Sequence, residues 1–114
     1  MSKTVKPVTL TDKDNGKVYT LEFSRDSVRF AEKNGFDLDN LKPLTGVEDL
    51  FYYAFRMHHK FISREEAMKI LYEKLGGLPD GLVDRLLELY TVPFNALSSG
   101  DEGGEKNSTM VVEL

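Results

Sequence analysis

With 114 residues, 40% of them hydrophobic and 30% charged, the chain has the size of one domain and enough apolar side chain to bury a core. It contains no Cys, which excludes disulfides, thiolate metal sites and a Cys nucleophile and suits a reducing compartment. Of the net charge of −4, the segment from Ser98 holds −3 (Asp101, Glu102, Glu105 and Glu113 against Lys106), so the body is near neutral and lacks the basic face of a nucleic-acid binder.

The first seven residues, Met1 to Pro7, lack the apolar stretch of a signal peptide. The longest unbroken apolar run, Leu50 to Phe55, falls far short of the about 20 residues a membrane span needs. The expectation is a soluble cytoplasmic protein that does not enter membranes.

Val8-Thr9-Leu10-Thr11 and Val18-Tyr19-Thr20-Leu21-Glu22-Phe23 read as two strands of a hairpin, being rich in β-branched and aromatic residues. Asn15-Gly16 between them is the expected reversal point, because Asn-Gly tolerates the positive φ of a tight turn. Tyr19, Leu21 and Phe23 alternate onto one face, which should meet a core supplied by helices. Asp12-x-Asp14 hints at a calcium loop, but Gly16, Lys17 and Phe23 stand where an EF-hand needs an oxygen ligand, Gly and Glu. This is a polar hairpin loop.

Helices follow. Ser24 can cap one that runs to about Asn34, with Asn34-Gly35 as a left-handed stop. Phe36 to Leu41 reads as a linking turn with Phe36, Leu38 and Leu41 directed inward. Thr45-x-x-Glu48 and Ser63-x-x-Glu66 both match the capping box, which opens the second and third helices. Gly76-Gly77 should end the third, Pro79-Asp80 should start the fourth, and Pro93 should end or bend it.

Helical spacing places Val47, Leu50, Phe51, Ala54, His58 and Phe61 on the buried side of the second helix, flanked by Tyr53, Phe55 and Met57. Tyr52, Arg56 and His59 point away from that stripe. Ala67, Met68, Leu71 and Leu75 form the stripe of the third helix. In the fourth, Leu82, Val83, Leu86, Leu87, Leu89, Tyr90 and Phe94 cover more than half the circumference, a breadth that means either central burial or an apolar strip kept for a partner. The candidate partner-binding residues are Tyr52, Arg56, His59, Leu87 and Phe94, since Tyr and Arg are the types that most often anchor interfaces.

No constellation points to catalysis, a cofactor or a metal. Adjacent helical residues such as His58 and His59 lie about 100° apart and cannot readily chelate one ion. There is no nucleophile triad, and Gly76-Gly77-Leu78-Pro79-Asp80-Gly81 lacks the Lys-Ser/Thr of a phosphate loop. From Ser98 the sequence loses its apolar residues and reads as a disordered acidic tail, 98–114, in which Met110-Val111-Val112 returns as a short apolar patch. The fold expected is mainly α: an N-terminal β-hairpin packed on a compact bundle of about four helices over residues 1–97, followed by that tail.

Three segments carry a family resemblance: Tyr19 to Asp39 (YTLEFSRDSVRFAEKNGFDLD), Leu50 to His59 (LFYYAFRMHH) and Leu75 to Tyr90 (LGGLPDGLVDRLLELY). With them the chain resembles, over about residues 8–95, the small tail assembly chaperones of long-tailed phages and prophages of Gram-positive bacteria, in a family long catalogued as a domain of unknown function. The resemblance implies a non-enzymatic protein of the bacterial host cytoplasm. It would coat the tape measure protein, a long aggregation-prone helical polypeptide, help recruit tail tube subunits, and be absent from the mature virion. It also raises the prospect of a longer frameshifted product. The competing expectation is a phage structural adaptor, such as a head–tail connector subunit, retained in the particle.

Overall fold

The computed structural model describes residues 5–99, with side chains described through Phe94. Strands β1 (Val8–Thr11) and β2 (Val18–Leu21) pair antiparallel, with Val8 opposite Leu21 and Leu10 opposite Tyr19. The helices are α1 (Arg25–Lys33), α2 (Thr45–Arg56), α3 (Arg64–Lys69) and α4 (Leu82–Ser99), with a 3₁₀ turn at Leu38–Asn40 and a π-helical turn at Ile70–Lys74. A mainly helical fold with an N-terminal hairpin is therefore what the sequence forms.

The hairpin loop is wider than an Asn-Gly turn. Only Gly16 takes a positive φ, 75°, and the loop closes through Asp12 N–H to Lys17 O at 2.8 Å and Gly16 N–H to Asp12 O at 2.7 Å. Asp12 and Asp14, rejected as calcium ligands, receive Lys74 Nζ at 3.1 and 3.3 Å, which ties the loop to the π-helical turn.

Helix α1 begins as its sequence dictates. The Ser24 hydroxyl accepts the Ser27 N–H, and the Ser27 hydroxyl accepts the Ser24 N–H in return. It ends at Gly35, where the Phe36 N–H reaches back to Ala31 O at 3.0 Å and the Gly35 N–H to Glu32 O at 3.1 Å, the paired bonds of a left-handed stop. Ser63 and Glu66 form the expected box at the start of α3. Thr45 does not: α2 begins one residue earlier in effect, with Leu44 at the cap position and no side-chain bond there. Helix α4 starts at Leu82, later than Pro79-Asp80, and runs through Pro93 to Ser99. Pro93 thus does not end it, and two residues of the expected tail are helical. The rest of that tail, including Met110-Val111-Val112, lies outside the described residues.

The core sits where α1, α2 and α4 meet the inner face of β2. Leu21, Leu50, Phe51, Ala54, Phe55, Leu71, Leu86 and Tyr90 are almost wholly buried. Aromatic rings bridge the elements: Phe23 and Phe36 lie 5.0 and 5.2 Å from Tyr90, and Tyr19 lies 5.0 Å from Phe55. Tyr53 and Phe55, expected at the margins of the α2 stripe, are core residues. Tyr90 keeps its hydroxyl in reach of Glu32, and burial first, then that carboxylate, pushes its pKa up to about 12.

Candidate partner-binding surface

Helix α2 ends at Arg56, and this decides the fate of the residues beyond it. His58, assigned to the core by extending the helical spacing, is exposed and pairs with Glu22 at 2.8 Å. His59, assigned to the surface, turns in beside Tyr19 and Phe55. Its Nε2 accepts the backbone N–H of Thr20 at 3.1 Å. The roles of the two imidazoles are the reverse of those that the periodicity implies, because the chain leaves its helical path after Arg56, before either residue. Burial, and then the nearby positive charges of His58 and Lys17, lower the pKa of His59, which suits a ring that must stay neutral to accept.

Tyr52 and Arg56 remain on one face of α2, and both are half-buried. The Arg56 guanidinium lies 3.7 Å over the ring of Phe30 on α1, and Arg64 on α3 lies 4.8 Å from the Tyr52 ring. Arg64 is also paired with Asp49 at 2.6 Å. This face is a lattice of stacked cations and rings that spans three helices. His59 belongs to the hairpin instead, so the structure does not gather the three α2-side candidates into one patch.

The two α4 candidates differ. Leu87 is half-buried against the core, whereas Phe94 is 41% exposed with its ring 5.7 Å from Tyr90. Phe94 and Tyr90 line a depression with Phe36, and Glu32, Asp37 and Asp39 stand among its walls. The result is an aromatic floor with an acidic rim.

Phe61 was missed. Expected in the core, it is 100% exposed, in the loop from Met57 to Ile62. Ile62 N–H bonds to His59 O at 3.0 Å and Ser63 is fixed in its capping box, so the loop holding the Phe is anchored on both sides. The signal was present in the sequence: a cap at Ser63 leaves no room for α2 to continue through Phe61. Leu44, Tyr72 and Val18 add further exposed apolar surface.

Among the described residues, no His, Asp or Glu cluster could hold a metal ion, and no helix is long and apolar enough to cross a membrane. The sequence profile of DUF5055, a domain of unknown function, matches residues 1–114. The chain belongs to the DUF5055 family. No curated protein and no solved structure matches it. The surface of this DUF5055 member carries Phe61 and the Phe94 depression among its exposed apolar features.

Proposed function

We propose that this protein is a tail assembly chaperone of a long-tailed phage or prophage, which binds the tape measure protein, keeps it soluble and helps bring tail tube subunits to it. Phe61 is the observation that carries the reading. Isolated apolar residues on a surface are ordinary, but a Phe with its whole side chain in water, on a loop pinned at both sides, is a pre-ordered anchor for an apolar partner. The Phe94 depression supports it, since an aromatic floor within acidic walls suits one face of an amphipathic helix carrying Lys or Arg beside its apolar stripe.

The test is co-expression with the neighbouring tape measure gene. The chaperone reading expects a soluble tape measure protein that copurifies with this chain, and it is overturned if the tape measure protein precipitates alone. Mass spectrometry of purified particles separates the adaptor reading, which requires this chain in the particle.

A further inference from the structure

The two edges of the hairpin are treated differently by the fold. Along β2 and just past it, two outward backbone N–H groups are held by the rest of the fold: Thr20 by His59 Nε2 at 3.1 Å and Glu22, one residue beyond the strand, by Ala54 O at 3.1 Å. Because the Thr20 N–H faces away from β1, the Thr20–Thr9 pair is a non-hydrogen-bonded one, and so is Val18–Thr11 two residues on. The backbone groups of Thr9 and Thr11 therefore point away from β2, along the outer edge of β1. Among the described residues no hydrogen bond reaches them, whereas Lys6 O, just before the strand, accepts from the Arg85 guanidinium at 3.3 Å. Thr9 and Thr11 are both exposed.

Edge strands are normally protected by charge, Pro or a bulge. Within β1, Val8-Thr9-Leu10-Thr11, there is none of these. What flanks it is Lys6-Pro7 on one side and Asp12 on the other, and that arrangement is self-complementary. If two β1 strands meet antiparallel about a two-fold axis at Thr9, Thr9 lies opposite Thr9, Val8 opposite Leu10, and Pro7 opposite Thr11. Pro7 then needs only its carbonyl, which accepts the Thr11 N–H, so the missing donor is placed where it costs one bond at each end. Lys6 of each chain falls opposite Asp12 of the other, adding a second cation to a carboxylate already bridged to Lys74. Shifting the axis to Leu10 sets Val8 against Asp12 and loses the charge match.

We propose that the open edge of β1 is a self-association surface, at which a second copy of this chain pairs antiparallel through Thr9 to make a four-stranded sheet. Four backbone hydrogen bonds and two charge pairs form a small interface, so the dimer is weak and concentration-dependent. This inference is independent of the chaperone reading.

The chain has no Cys, so single-Cys variants give a clean test of register. Sedimentation of the wild-type chain over a concentration series should show a monomer–dimer equilibrium. Under mild oxidation Thr9→Cys should form a disulfide-linked dimer far faster than Thr11→Cys, since only residue 9 faces its own copy. Lys6→Glu should raise the dissociation constant about tenfold or more by setting like charges opposite each other. Thr9→Pro, which removes an N–H that the single chain leaves unbonded, should abolish the dimer; circular dichroism checks that it folds. A chain that stays monomeric throughout overturns the proposal. So does a dimer that survives Lys6→Glu unchanged, or one in which Thr11→Cys crosslinks as fast as Thr9→Cys. The Cys and Glu variants decide the matter even if Thr9→Pro does not fold.

Discussion

The imidazole of His59 accepts the backbone N–H of Thr20 at 3.1 Å, which makes a side chain beyond the end of α2 the missing neighbour strand of β2. Beside it Ala54 O, one of the carbonyls that a helix end leaves without an internal partner, accepts the Glu22 N–H at 3.1 Å. The end of the hairpin is thus fastened by one hydrogen bond to α2 and one to the loop that follows it, as well as by the burial of Leu21.

That bond makes stability depend on pH. A protonated imidazole has no lone pair for Thr20, and burial, His58 and Lys17 all lower the pKa of His59 in the fold below the 6.5 of a free ring. Between that lowered value and about 6.5 the unfolded chain binds a proton that the folded chain refuses. The His59 contribution is therefore complete above about 6.5 and is lost as the pH falls through the folded pKa. Urea midpoints measured at about pH 7.5 and about pH 5 should drop more for the wild type than for His59→Gln, whose amide oxygen can accept at either pH. Equal drops in the two proteins would show that His59 is not the titrating latch.

The two capping-box sequences offer a matched pair. At Ser63 the box is formed in both directions, whereas Thr45 sits inside the first turn of α2 with no side-chain cap bond. Ser63→Ala should cost about 1 kcal/mol, the usual loss at an N-cap, and Thr45→Ala should change stability by less than about 0.5 kcal/mol. Chemical denaturation of both variants checks this, and a costly Thr45→Ala would contradict the cap geometry.

What was legible in the sequence follows the reach of each signal. Ser24, Gly35 and Ser63 act within a few residues, and each works as read. The alternation that put Tyr19, Leu21 and Phe23 on one strand face is also local, and Leu21 and Phe23 are buried. The pattern misleads where a period outruns the element that generates it. Helical spacing extended beyond Arg56 misplaces His58, His59 and Phe61, because α2 stops there. Thr45 fails for another reason: Leu44 takes the cap position without a side-chain bond, so Thr45 already lies inside the first turn of α2. The candidate surface was harder still. Tyr52 and Arg56 share one half-buried face of α2, and no sequence rule says that Arg64 and Phe30 come from other helices to stack on them.

Those stacks set the cost of opening the α2 face. Each cation–π contact at a partly exposed site contributes about 0.5–1 kcal/mol, so Tyr52→Ala combined with Arg56→Ala should cost about 1–2 kcal/mol while the protein still folds. Thermal unfolding measures the loss. A change near zero would mean that neither contact persists in solution, and outright unfolding would assign the pair to the core rather than to its edge.

Phe61 separates binding from folding more cleanly than any other position. Its side chain is fully exposed, and the loop that carries it is held by the Ile62 N–H and by Ser63, neither of which involves the ring. Phe61→Ala should therefore change stability by less than about 0.5 kcal/mol, as ordinary surface substitutions do. If the ring is the anchor for a tape measure helix, the same variant should recover markedly less tape measure protein in copurification and leave more of it insoluble. Phe94→Ala is the companion experiment, because Phe94 adds to an aromatic floor and so should lose some stability along with any binding. A Phe61→Ala protein that folds normally and still holds the tape measure protein in solution removes Phe61 from the working surface and leaves the Phe94 depression as the place to look.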